Sequence, residues 1–328
     1  MPNTKLLILV AFALLSSSNS FAKIWRVNNN GGGGGDFTTA QAANDGGAVL
    51  SGDTIHIEPS PNSYGTLSTS KRLVWISTGA FLGAHPGEQY AQTPGKIGTL
   101  TINAGSANSV FSLYIEGIAY INTSNIRLDR CYTTGGIIIQ SANPIPNNCV
   151  IINCYNMGYM LLYAGTNHFV TNNIMEAYML VAAASSAIIQ NNVLNAITTT
   201  QATITNSTVQ NNIFNKTIGA YTFTNCVVQY NMSGSGGVLP AGNFNQNNVA
   251  MANVFVNNSG TTDKDFVLKA GSPGIGSGFA GDDMGAYGGT TPFKLALQPA
   301  IPAIYKIVAP FVPAGSTMNV TFSTKSNN

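Results

Sequence analysis

Acid–base chemistry on a polysaccharide needs two or three carboxylates facing one groove within about 5–10 Å of each other, and this chain has few to offer. Between Asp129 and Asp263 the acidic residues reduce to Glu176, and the basic ones to Arg130 and Lys216. Glu176, Asn195 and Asn215 fall in one column, three places after a repeated asparagine, with Lys216 beside them. A carboxylate and an ammonium could meet there, although a solvated surface pair is the simpler reading. Glu176, Lys216 and Arg130 are therefore the catalytic candidates, and weak ones. Glu88, Glu116, Asp129 and Arg127 lie on other segments. A calcium-dependent lyase needs several carboxylates around the ion and a Lys or Arg base nearby. Asp263 with Asp265, or Asp282 with Asp283, offers too few ligands and reads as turn chemistry. Calcium is thus unsupported, and no other cofactor is implied. His168 has no second histidine aligned with it to hold a metal, and reads as structural.

Two tyrosines are the binding candidates. Tyr159 and Tyr178 are 19 residues apart, and each is followed by a methionine, Met160 and Met179. Exposed, the rings would give a platform for sugars. Buried, they are an aromatic stack in the core, which is the favoured reading. Which of these side chains can meet depends on the elements that carry them.

Those elements come from a repeat. Residues 149–249 carry one phrase six times, seen in Thr171-Asn172-Asn173-Ile174, Gln190-Asn191-Asn192-Val193 and Gln210-Asn211-Asn212-Ile213. From Cys154 through Asn173, Asn192, Asn212 and Asn231 to Asn248 the steps are 19, 19, 20, 19 and 17 residues. A period near 20 with β-branched residues on both sides of an Asn pair fits a solenoid of strand, turn and strand. Two helices with their turns need about 33 residues, and Ile, Val, Thr and Asn are poor helix formers. After glycine, asparagine best tolerates the left-handed backbone of a sharp bend. Stacked rungs would place Asn173, Asn192, Asn212, Asn231 and Asn248 about 4.8 Å apart, each amide donating one way and accepting the other. A second column, Thr166, Ser185, Thr205 and Thr224 beside Asn167, Ser186, Asn206 and Asn225, predicts another polar turn stack.

With these residues the chain resembles the right-handed parallel β-helix of the pectin-lyase-like superfamily, whose members often carry such an Asn ladder, over roughly residues 98–283. Asp36-Phe37-Thr38-Thr39 and Gly52-Asp53-Thr54-Ile55 are similar to the N-terminal cap of secreted β-helix proteins. Gly271-Ser272-Pro273 and Asp283-Met284-Gly285-Ala286-Tyr287 are similar to their last coil, with Ser277 where an Asp is usual. The resemblance implies an all-β fold and strands continuing past Val249 through residues 254–256. It implies no activity, because none of the family's catalytic residues has a counterpart here.

The resulting organisation is a signal peptide over 1–22, an N-terminal strand and cap helix over 23–65, a parallel β-helix of nine to eleven rungs over 66–290 and a tail over 291–328. Lys5, the apolar run 6–15 and Ser20-Phe21-Ala22 carry the signal. That run is too short to span a bilayer, so the chain reads as secreted or extracytoplasmic, in the periplasm or at the cell surface. With 8% charged residues and a net charge of +2 there is no field for nucleic acid. Cys131, Cys149, Cys154 and Cys226 follow the repeat without a C-x-x-C pair, so buried thiols are favoured, and a bridge from Cys154 to Cys149 or Cys131 stays open. The function expected is non-catalytic binding of glycans or extracellular partner proteins along a solenoid face. The alternative is a polysaccharide lyase or glycoside hydrolase acting on acidic polysaccharide.

Overall fold

The computed structural model describes residues 22–195, 202–215, 221–234, 236, 239–309 and 318–326. The chain winds into about nine coils, each visiting three parallel sheets in turn. One coil comprises Arg127–Asp129 in sheet 1, Tyr132–Thr133 in sheet 2 and Gly136–Ile139 in sheet 3; the next comprises Val150–Ile152, Tyr155–Asn156 and Tyr159–Leu162. Among the described residues sheet 1 has ten strands and sheets 2 and 3 eight each. Neighbouring coils pair in register, so that Leu128, Ile151, Val170, Ile189, Val209 and Val228 form one column. Every member of it is buried. Alternation along a strand sends one residue in and the next out, and each fully buried Ile, Val, Leu or Phe stabilises by roughly 1.5–3 kcal/mol.

The Asn pair divides its labour. The first member takes the left-handed conformation at the bend between sheets 1 and 2, as Asn153, Asn172, Asn191 and Asn211 do with φ of 54°, 54°, 51° and 57°. Arg130 and Tyr230 hold the same place with φ of 58° and 53°. The second member, at Asn173, Asn192 and Asn212, has ordinary backbone and forms the ladder. Asn173 Nδ2 donates to Asn192 Oδ1 at 3.0 Å, Asn192 to Asn212 at 2.9 Å and Asn212 to Asn231 at 3.0 Å. Bend and ladder are thus separate tasks on adjacent residues, where the sequence reading had merged them. The last rung also differs: Asn231 donates to Asn245 at 3.1 Å, whereas Asn248 is exposed. At the other end Cys154 N–H donates to Asn173 Oδ1 at 2.8 Å, and thiols continue the column. All four cysteines are free. Burial pushes the Cys149 thiol up to about 11.

The N-terminal end carries a strand and a short helix. Ile24–Val27 pairs with Thr54–Ile57, and a helix over Ala40–Asp45, capped by Thr39, sets Ala40 and Ala43 against the core. The strands expected at 254–256 do not form. Residues 251–298 instead run back over the outside of sheet 2 as a strap of 3-10 turns. The outward residues of that sheet, Tyr155, Ile174, Val193, Ile213 and Met232, are apolar, and the strap covers them with Phe255, Phe266, Met284 and Phe293. The bend asparagines clasp it: Asn172 Nδ2 donates to Ala286 O and Gly288 O, and Asn191 Nδ2 to Asp283 O. A buried His85–Asp263 pair ties the loop after sheet 1 to the strap. In the tail, Ala303–Val308 pairs antiparallel with Thr321–Lys325 as a hairpin.

Candidate functional site

Sheet 3 carries the two tyrosine candidates. Its outward column runs Ser68, Thr101, Tyr120, Ile138, Leu161 and Leu180. Beside it stand Ile118, Tyr159 and Tyr178. The strap's apolar cluster includes no residue of this sheet. Ile138 and Leu161, 7% and 6% exposed, are closed over by their neighbours, while Tyr120, Tyr159, Tyr178 and Leu180 are half-buried. Hydroxyl residues, Ser68 and Thr101, continue the column on one side of this apolar stripe. From Tyr120 to Leu180 it crosses four coils, about 14 Å at the strand spacing.

The two tyrosine candidates therefore lie on the outside of the coil, and the core stack is not found. Met160 and Met179 take the inward positions and are fully buried. The two rings sit 6.1 Å apart at 36° to each other, and Tyr178 also leans on the edge of the core. The aliphatic part of the face, Ile138 and Leu161, was missed in the sequence. Its signal is present in Gly136–Ile139 and Tyr159–Leu162, where both in-facing and out-facing residues are apolar, the mark of a strand covered on two sides.

The catalytic candidates Glu176 and Arg130 do not come together. Glu176 accepts from the Tyr155 hydroxyl and from Asn195, whose Oδ1 accepts from Asn215. The predicted column is thus real, and it is a polar chain under the 257–265 turn. Lys216 lies outside the described residues. Arg130 stands at the turn into sheet 2, two coils before Glu176, which stands at the turn out of it. Glu116 pairs with Lys96 at 2.7 Å, and that hydrogen bond holds its carboxyl below the usual range. Asp129 pairs with Arg127 at 2.8 Å, and Glu88 pairs with Lys325. Each carboxylate has a different principal partner, so no shared acid–base pair is built from them.

No family model, curated protein or solved structure matches the chain.

Of the aspartates considered for calcium, Asp263 and Asp265 are taken up by the protein. Burial pushes the Asp265 carboxyl up, but hydrogen bonds from Ser259, Thr261 and Thr262 outweigh it and hold it at about 2. It caps the 3-10 turn Asp263–Phe266. Asp263 accepts from Ala296 N–H and contacts His85. Among the described residues no group of three or more His, Cys, Asp or Glu is placed to hold a metal. His168 is buried: its Nδ1 accepts from Cys149 N–H and its Nε2 faces Ala164 O at 3.1 Å, which makes Nε2 the protonated nitrogen. The second polar turn stack exists, with Asn167, Asn206 and Asn225 in the left-handed region, and it borders an open groove of about 430 Å³ with Phe169 and Ile188.

Proposed function

We propose that this chain is a secreted or surface-exposed parallel β-helix protein of the pectin-lyase-like type, which binds an extended, uncharged glycan along the outside of sheet 3 without cleaving it. The observation that carries this is the half-buried row of Tyr120, Tyr159, Tyr178 and Leu180 on that side, spaced by the coils and continued by hydroxyl residues. A sugar ring has an apolar face and a hydroxyl rim, and such a stripe complements both. The dispersed carboxylates support binding over bond cleavage. An extended segment of a partner protein is the second reading, since the same stripe suits alternating apolar side chains.

Affinity electrophoresis of the purified protein through gels containing neutral glycans is the test. Tyr159→Ala and Tyr178→Ala should each abolish most of the retardation, because truncating an aromatic anchor typically costs about 2 kcal/mol or more, roughly 30-fold. Retardation unchanged in both variants removes sheet 3 as the binding face. Incubation with acidic polysaccharides, followed for unsaturated products, tests the lyase alternative, and product formation would replace the binding reading.

A further inference from the structure

Between the strap and the tail hairpin lies a second concave site, of about 510 Å³. Four elements contribute charged side chains to it: Arg130 from the coil, Lys294 from the strap, Lys325 from the hairpin and Glu88 from the 80–98 loop. Glu88 pairs with Lys325. Arg130 has Asp129 3.5 Å away, a carboxylate already engaged by Arg127. Lys294 is half-buried and has no ionic partner among the described residues. Arg130 also donates to Gln298 O at 2.9 Å, so Lys294 is the cation that gives the cleft its positive charge, where screening by water is reduced. Val267, Phe293 and Leu295 supply an apolar wall.

Gln298 is the independent observation. It forms part of the lining and is 2% exposed, yet neither its Nε2 nor its Oε1 has a hydrogen-bond partner. A buried carboxamide unpaired at both ends is costly, and an apolar residue would fill the same space without that cost.

We propose that this cleft binds a singly charged organic carboxylate with an apolar body and an adjoining amide, the chemistry shared by an N-acylated apolar amino acid and the C-terminal end of a polypeptide. The carboxylate meets Lys294, the apolar body lies on Val267 and Leu295, and the amide offers the donor and acceptor that Gln298 lacks. An inorganic anion would leave the wall and the carboxamide unused. A neutral sugar would leave Lys294 unpaired, so this site is distinct in chemistry from the face of sheet 3.

Isothermal titration of the full chain with N-acetyl-L-phenylalanine, its methyl ester and sodium sulfate tests this. The acid should bind, and the ester should bind at least about tenfold more weakly, because it loses the charge-assisted hydrogen bonds. Lys294→Gln, at a half-buried position where folding is little affected, should weaken the acid about fivefold or more. Gln298→Leu should weaken it as well while raising the melting temperature, since the unpaired amide is gone; a purely structural glutamine would lower that temperature. A peptide ending in Leu-Phe that binds more tightly than the acetylated amino acid identifies a polypeptide end as the source, and equal binding identifies the small molecule. Absence of binding by the acid, an ester that binds equally, sulfate binding more tightly, or no effect of Lys294→Gln would each overturn the site.

Discussion

Asn192→Ala tests the ladder where it is most complete. Asn192 is fully buried, and its Oδ1 accepts from the Asn173 backbone N–H at 2.9 Å and from Asn173 Nδ2 at 3.0 Å. Its Nδ2 donates to Val170 O, Gln190 O and Asn212 Oδ1 at 3.0, 2.9 and 2.9 Å. Alanine removes all of these, but several of the remaining groups keep a partner. Asn212 Oδ1 retains the residue 192 backbone N–H, Asn173 Nδ2 retains Ile151 O, and Gln190 O retains Asn172 N–H. The Asn173 backbone N–H loses the acceptor that Asn192 gave it, and one stranded buried donor costs about 1–3 kcal/mol. The space left by Cγ, Oδ1 and Nδ2 adds about 1–2 kcal/mol. The sum, about 2–5 kcal/mol, corresponds to a fall in melting temperature of about 5–15 °C for a domain of this size. Asn248→Gly is the control: residue 248 has a φ of 58°, which glycine keeps, its exposed side chain only accepts from Gly236 N–H at 3.2 Å, and the expected change is within about 0.5 kcal/mol. Thermal unfolding followed by circular dichroism reads both. Equal shifts in the two variants, or a loss below about 1 kcal/mol for Asn192→Ala, would refute the assignment of ladder and bend.

Other variants probe the strap, the thiol rung and the buried imidazoles. Asn172→Gly keeps the left-handed bend but removes the donors to Ala286 O and Gly288 O; limited proteolysis should then cut within 279–298 sooner than in the parent, and unchanged resistance counts against the clasp. Cys154→Asn should stay within about 1 kcal/mol of the parent, since an amide there can accept from Cys131 N–H and donate to Asn173 Oδ1, whereas Cys154→Ala should lose about 1–2 kcal/mol in urea titrations. Burial depresses the pKa of His168 and of His56. Their contribution is complete above the unfolded value of about 6.5 and is lost as pH falls through the lower folded values. Melting temperature should therefore drop from about pH 7 to about pH 5, less steeply in His168→Gln; identical profiles would exclude this histidine as a source. Asp265, held at about 2, stays ionised across this window and loses its contribution only under stronger acid.

How much was legible follows from how each contact is spaced along the chain. In a solenoid a residue touches its counterpart one coil on, so a contact in space recurs at a nearly fixed interval in sequence. That is why the β-helix, the column from Cys154 to Asn231, the polar chain from Glu176 to Asn215 and the alignment of Tyr159 with Tyr178 could be read directly. The short helix over Ala40–Asp45 follows a local pattern, the Thr39 cap before it, whereas the pairing of Ala303–Val308 with Thr321–Lys325 left no such mark.

Sequence alone thus determined the coil and the columns within it. Only the tertiary structure decided which of two adjacent asparagines bends the chain and which forms the ladder, because both are Asn and the distinction lies in backbone conformation. It also placed the final rung at Asn245, where the interval shortens to 14 residues, and turned 251–298 into a strap. Arg130 meets Gln298 across 168 residues, and His85 meets Asp263 across 178. Such contacts are made once, at no repeated spacing, so periodicity carries no trace of them; the apolar outer face of sheet 2 and the bend amides, presented only after the coils have stacked, fix where the returning chain lies.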